Sequence, residues 1–334
     1  AEAGFHAETL RLPLKTIRSL TLVACGTSFY AAQIASYWLE RLSGVPVRVD
    51  IASEFRYRHP LLPEGSAALF ISQSGETADT LAAMRYVRQA GHPTIAMVNV
   101  AASTMAREAD SDLPTLAGSE IGVASTKAFT AQLTTLACLT LAIGRERGVL
   151  KPAQYKTLVE GLHRLPEHME AVLAERSRYD QLALALMYAR DMLFIGRGTS
   201  YPLAREGALK MKEISYIHAE GYAAGELKHG PIALVDDGVP IVVIAPDDGL
   251  FDKSAANLEE TAARKGNIVL LSSQDKIARF SGNVTHSAAL PACDAFHAPI
   301  LYALPLQLLA YFVALHKGAD IDKPRNLAKS VTVE

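Results

Sequence analysis

Short unbroken apolar runs alternate along this chain with longer stretches whose apolar residues recur every three or four positions. The clearest case lies between Ala67 and Gln89. Ala67-Ala68-Leu69-Phe70-Ile71 is continuous and apolar, as a strand buried on both faces requires. Ala78, Leu81, Met84 and Val87 then recur at helical spacing. Earlier, residues 20–25 predict a strand, and Ala31, Ile34, Ala35, Trp38 and Leu39 share one face of a helix. Residues 46–51 alternate like a strand, 93–98 form another that ends at Asn99, and 126–143 predict a long apolar helix. Strands alternating with helices predict a parallel sheet covered on both faces.

Residues 144–191 read as helical and polar, a connector to a second series. That series opens with Met192-Leu193-Phe194-Ile195, and Gly198-Thr199-Ser200-Tyr201 echoes Gly26-Thr27-Ser28-Phe29. Residues 239–245 and 267–272 supply further strands. The expectation is an internal duplication of one α/β unit. The copies differ at one turn: where the first has Ser72 to Thr77, the second has Pro246-Asp247-Asp248-Gly249.

At 334 residues, 49% hydrophobic and 20% charged, the chain has the size and composition of a folded protein with a large core. A net charge of −2 gives no global field toward nucleic acid or anionic membrane. Cys25, Cys138 and Cys293 are far apart, so they form neither a metal-ligand cluster nor a disulfide framework, as expected of a cytoplasmic protein. The start, Ala1-Glu2-Ala3-Gly4-Phe5-His6, lacks the basic end and apolar core of a secretory signal. Residues 298–315 are apolar but contain Pro299, Pro305 and Gln307, and read as a buried core helix.

Chemistry is expected first at Ser72-Gln73-Ser74-Gly75-Glu76-Thr77. This turn offers hydroxyls and backbone N–H groups at the positive end of a helix, an arrangement suited to a phosphate. It lacks the spacing and lysine of a nucleotide P-loop, and an ordinary capped turn that binds nothing has the same residue types. Residues 119–127, with Glu120, Gly122 and Ser125, form a second hydroxyl-bearing turn before a helix. Lys210 and Glu213 lie three apart and, taken alone, read as a solvated ion pair. Residues 214–231 are dense in ionisable and aromatic side chains, and His229 stands before Gly230-Pro231 on a sharp turn. The terminal residues, with Lys329, read on composition as a frayed, solvated tail.

Several stretches together resemble the isomerase half of the glutamine–fructose-6-phosphate aminotransferases, the glucosamine-6-phosphate synthases. They are Cys25-Gly26-Thr27-Ser28, residues 51–58, 72–80, 120–129, 206–231 and 324–334, so the likeness runs from about residue 20 to the end. The resemblance implies two sugar-isomerase (SIS) domains, each a doubly wound parallel sheet flanked by helices, with an ordered C-terminal tail. The expected division is a lead-in helix at 1–19, domains at 20–150 and 191–317, a helical connector at 151–190 and the tail at 318–334.

It also implies roles. Ser72, Gln73, Ser74 and Thr77 match residues that hold the sugar phosphate. Thr27, Ser28, Val123, Ser125 and Ala328 match neighbours of the sugar. Lys329 matches the lysine that forms a Schiff base with the open ketose, and Glu213 the base that moves a proton between carbons 1 and 2. His229 matches the ring-opening histidine, contributed by the neighbouring subunit of a homodimer, and Lys210 a further active-site lysine. The implied ligands are fructose 6-phosphate and glucosamine 6-phosphate, with no cofactor and no metal. The family carries an N-terminal glutaminase domain as ammonia source, and the sequence here starts after it, as an excised domain would. Two other readings remain: a free-standing SIS sugar-phosphate isomerase or deglycase, and a non-catalytic sugar-phosphate sensor.

Overall fold

The computed structural model describes residues 14–280 and 282–332. The expected lead-in helix lies mostly outside them, and its described end, residues 14–16, is a turn running into the first strand. In chain order the elements are β1 (Ser19–Ala24), α1 (Gly26–Ser43), β2 (Val47–Ile51), α2 (Ala52–Phe55), β3 (Ser66–Ser72), α3 (Ala78–Gln89), β4 (Thr94–Val98), α4 (Thr104–Glu108), β5 (Ser111–Pro114) and α5 (Lys127–Glu146). After them come α6 (Pro152–Ala174), α7 (Arg176–Leu186), β6 (Asp191–Gly196), α8 (Ser200–Ser215), β7 (His218–Ala223), β8 (Pro240–Ile244), α9 (Phe251–Ala262), β9 (Asn267–Ser273), α10 (Gln274–Ile277), β10 (His286–Leu290) and α11 (Ala298–His316).

These elements build two compact units. One takes residues up to 121, 125–159 and those from 328 on; the other takes 122–124 and 160–327. The stretch 151–190 is therefore divided between the units, and so is the tail. Each unit holds a five-stranded sheet whose pairings are all parallel. The first has the order β2-β1-β3-β4-β5; the second, read from its β7 edge, is β7-β6-β8-β9-β10. The two orders are the same, 2-1-3-4-5 within each unit, so the duplication expected from the turns extends to the whole topology.

The continuous apolar runs form the sheet centres because both faces are covered. All seven residues of β3 are buried, and Phe70, fully buried, contributes about 1.5–3 kcal/mol. One face of the first sheet packs Val23, Ala68 and Phe70 against Phe55 of α2, Ala83, Met84 and Val87 of α3, and Met105 of α4. Helices α1 and α5 pair with each other, and α1 also lies on β1 and β3. In α3 the fully buried face is Thr80, Ala83, Met84 and Val87, with Leu81 only partly covered. Apolar spacing alone puts Leu81 inside and leaves Thr80 out.

In the second unit, Leu193, Ile195, Ile241 and Val243 meet Phe251, Ala255 and Leu258 of α9. Helices α7, α8 and α11 pack together in the same unit. Helices α5 and α11 are long and apolar enough to cross a membrane, but 67% and 72% of those stretches are buried inside the protein. They are core helices.

Candidate active site

In a doubly wound sheet, ligands sit beyond the carboxyl ends of the strands where the strand order reverses. In the first unit that point lies between β1 and β3. The turns leaving those two strands are Cys25–Ser28 and Ser72–Thr77, the pair singled out from the sequence.

The β3 turn is built around its hydroxyls. Ser72, 3% exposed, hydrogen-bonds through Oγ to Thr77 Oγ1 at 2.8 Å and accepts the Gly75 N–H at 3.0 Å. Ser74 Oγ accepts the Glu76 N–H at 3.1 Å. Gly75 has φ +66°, and a Cβ there would lie 2.1 Å from Ser103 Oγ, so only glycine fits. The neighbouring α4 clamps the turn: Gly75 O accepts from Met105 N at 3.1 Å, and Glu76 Oε1 from Thr104 N at 2.7 Å. The Thr104 amide holds the Glu76 carboxyl below its usual range. Gln73 is half-buried, and its carbonyl accepts from Asn99 N at 3.0 Å.

At the β1 turn Ser28 is 9% exposed, and its Oγ accepts from Gln132 Nε2 of α5 at 3.0 Å. Thr27 is half-buried beside it. Burial pushes the Cys25 thiol up, with a smaller opposing pull from Thr80, which makes it a poor nucleophile.

The C-terminal tail does not behave as a frayed end. Ala78 N, at the first position of α3, donates to Val331 O at 3.1 Å, and Ser330 Oγ lies 3.0 Å from Ser74 Oγ. Lys329 Nζ sits 2.6 Å from Glu120 Oε2, with side-chain exposures of 27% and 4%. The same oxygen accepts Ser125 Oγ at 3.4 Å, while Glu120 Oε1 accepts the Thr126 and Ala128 amides at 2.8 and 3.1 Å. Burial pushes the Glu120 carboxyl up, but the Lys329 bond and the two amides outweigh it and hold the group below its usual range. The solvated reading of Lys329 is thus corrected. Ala328 is exposed.

The sequence places Glu120 in the turn before a helix without marking it as a partner of Lys329. Its only signal in the sequence is an acidic side chain just ahead of a helix start.

The second unit carries the remaining candidates. Lys210 lies on α8 at 1% exposure, between Glu206 at 2% and Glu213 at 21%. Its ammonium hydrogen-bonds Glu213 Oε2 and lies 3.5 Å from Glu206 Oε1. The solvated-pair reading therefore fails here: this is a buried triad. Burial pulls the Lys210 ammonium down, but the two carboxylates outweigh it and hold it above the usual lysine range. Three residues beyond Glu213, Tyr216 accepts the Arg325 N–H at 2.9 Å, and the Arg325 guanidinium stacks 4.3 Å above its ring. Val123 N donates to Asp322 O at 2.9 Å. His229 is exposed at the end of the 3-10 helix Ala224–His229, followed by Gly230 with φ +139°. Among the described residues no group of three or more His, Cys, Asp or Glu could hold a metal ion.

The SIS domain family matches residues 14–142 and 185–317. The glutamine–fructose-6-phosphate aminotransferase (isomerizing) of Zymomonas mobilis is 55% identical over 321 residues, 96% of this chain and 53% of that protein. The chain thus spans about half the length of the curated relatives it matches. The solved C-terminal domain of glucosamine-fructose-6-phosphate aminotransferase from Francisella tularensis is 44% identical, with TM-score 0.91 over 93% of this chain and 87% of that one. Glucosamine-6-phosphate deaminase from Thermotoga maritima, at 24% identity and TM-score 0.77, shows the shared fold alone. With the SIS pattern matched in both units and the Francisella domain overlaid along most of its length, the chain belongs to the SIS domain family and, within it, to the isomerase half of the glutamine–fructose-6-phosphate aminotransferases.

Proposed function

We propose that this chain binds fructose 6-phosphate and converts the ketose, through a lysine imine, toward glucosamine 6-phosphate. The observation that carries the reading is the tail: Ser330 lies against Ser74 of the hydroxyl turn, so Lys329 is held one residue from that contact. A phosphate on the turn would anchor the substrate remotely from its reacting carbons.

In this reading His229 of a neighbouring subunit moves a proton from the anomeric hydroxyl to the ring oxygen, which opens the ring. The Lys329 amine adds to the carbonyl at carbon 2; water leaves and an imine forms. Glu213 takes a proton from carbon 1 and returns one at carbon 2. Lys210, fixed between Glu206 and Glu213, orients that base. Before that proton moves, ammonia adds to the carbon 2 imine and expels the Lys329 amine. The resulting substrate imine carries the nitrogen of the product and is the species that Glu213 isomerises. The source of the ammonia is the glutaminase domain that relatives of full length carry. The protein works in the cytoplasm, as a homodimer, without a cofactor.

The test is borohydride trapping. Incubation with fructose 6-phosphate and borohydride should leave a reduced sugar adduct on Lys329, found by peptide mass spectrometry and lost in Lys329→Ala. Sugar-phosphate binding without any adduct on Lys329 would refute the imine and leave a binding module.

A further inference from the structure

We infer that Glu120 is the positioning residue for Lys329: it docks the lysine, and with it the C-terminal tail, on the first unit before any substrate arrives. The part concerning reactivity rests on the function proposed above; the docking does not.

The two carboxylate oxygens divide their work. Oε1 accepts the amides of Thr126 and Ala128 at 2.8 and 3.1 Å, which locks the side chain onto the start of α5. Oε2 is thereby aimed away from the helix, and it receives Lys329 Nζ at 2.6 Å and Ser125 Oγ at 3.4 Å. A carboxylate held by two backbone amides has little freedom to follow a moving partner. It is a fixed post, and the lysine comes to it across 209 positions of sequence. The residues on either side of the contact are exposed or half-exposed: Ala328 and Val331 are open to solvent. Few apolar contacts hold this segment, so polar contacts decide whether it stays down. Those contacts include the Glu120–Lys329 pair, Ser330 on Ser74 and the Val331 carbonyl on Ala78 N.

The geometry also argues against Glu120 as the proton acceptor in imine formation. A carboxylate already receiving two amides, a hydroxyl and an ammonium is a reluctant base. Its contribution is to set where the lysine nitrogen starts, and a nitrogen pre-placed near the substrate saves the ordering entropy of a free tail. When the amine adds to the carbonyl, its link to Glu120 must loosen, so the pair is a resting hold that substrate exchanges for a covalent bond.

Glu120→Gln separates the two duties. The amide oxygen still caps Thr126 and Ala128, but the amide nitrogen now faces an ammonium, donor against donor. Hydrogen exchange in the ligand-free protein should rise about tenfold over residues 328–332, with no change in the rest of α5. Lys329→Gln approaches the same pair from its more exposed side, and keeps the test open if the first variant fails to fold. The double variant should exchange no faster than either single one, because both remove the same contact. With fructose 6-phosphate and borohydride, Glu120→Gln should label Lys329 about tenfold more slowly while sugar-phosphate affinity stays within twofold.

Unchanged tail exchange in Glu120→Gln, or additive rises in the double variant, would overturn the inference and leave Glu120 a helix cap. If the exchange results hold but wild-type Lys329 takes no sugar adduct, the docking stands and the proposed function falls.

Discussion

The turn after β3 and the turn after β8 occupy the same place in two copies of one topology, and they have opposite chemistry. The first presents Ser72, Ser74 and Thr77 around Gly75 at the start of α3. The second presents Pro246-Asp247-Asp248-Gly249 at the start of α9. There Asp248 Oδ1 accepts the Leu250 N–H at 2.8 Å, and Asp247 pairs with Lys276 at 3.0 Å. The positive end of a helix attracts an anion in either copy. In the second copy the protein supplies that anion from its own side chains, so no donor set is left to call for a phosphate. In the first the turn's own carboxylate, Glu76, is engaged by the Thr104 amide of α4, and the Ala78 amide at the start of α3 meets the Val331 carbonyl of the folded tail. The scaffold occurs twice, and the residues on this one turn give the two copies different chemistry. The second unit keeps its ionisable groups on a helix instead, as the buried triad of α8.

The sharpest way to break that contrast is to remove the second unit's charge cluster. Lys210→Met leaves Glu206, 2% exposed, and Glu213 without their cation. Stripping one partner from a buried charge group costs about 3–5 kcal/mol. The lysine's raised pKa fixes the pH window: the contribution is present at neutral pH and is lost only as pH climbs beyond the ordinary value of 10.5. Urea melts at pH 7 should show this loss in the second unit. A variant as stable as wild type would mean the triad is hydrated.

The next effect compares glycines on the two turns. Gly75→Ala must place a Cβ at φ +66° and 2.1 Å from Ser103 Oγ, at a cost of about 1–3 kcal/mol. A Cβ on Gly249 would meet nothing within 4 Å, and Gly249→Ala should stay within about 0.5 kcal/mol. Only the first substitution should also weaken fructose 6-phosphate binding, measured by calorimetry. Equal effects on binding would remove the distinction between the turns.

Much of this architecture is written in the apolar runs, because a parallel sheet covered on both faces leaves its strands no polar side. All of β3 is buried, and the run that predicts it is unbroken. The turns that leave β1 and β3 are legible for the same reason: each ends an apolar run with glycine and hydroxyl-bearing residues. Other features leave no local trace. Lys210 and Glu213 have the spacing of any solvated helix pair, and only the packing of α8 in its unit makes them buried. Glu120 and Lys329 are 209 positions apart, so no window of sequence holds both. The inward turn of Thr80 in α3 escapes a reading based on apolarity, since only packing in the folded unit buries that side chain.

The acid limb of stability offers a gentler probe of the first unit. Glu120 is held below the usual carboxylate range in the folded protein. A group with a lowered folded pKa adds stability above its unfolded value, near 4.5, and loses that contribution as pH falls through the folded value. The difference in Tm between wild type and Glu120→Gln should therefore be largest at neutral pH and shrink as pH drops below 4.5. A difference that is constant with pH would mean that the carboxylate charge is not what holds the tail.

The smallest effect belongs to the acidic turn itself. Burial, reinforced by the nearby Asp247, outweighs the Leu250 and Phe251 amides and pushes the Asp248 carboxyl above its ordinary 3.8. The folded protein thus disfavours its charge, and Asp248→Asn keeps an oxygen for the Leu250 N–H while removing that charge. The variant should be more stable at pH 7 by less than about 1 kcal/mol, and the gain should vanish near pH 3, where wild-type Asp248 is protonated in both states. It should still bind no phosphate, because the hydroxyls of Ser72, Ser74 and Thr77 have no equivalents on that turn. Phosphate binding to the second unit of Asp248→Asn, detected by exchange protection at the start of α9, would show that charge alone separates the two turns and that the hydroxyls are dispensable.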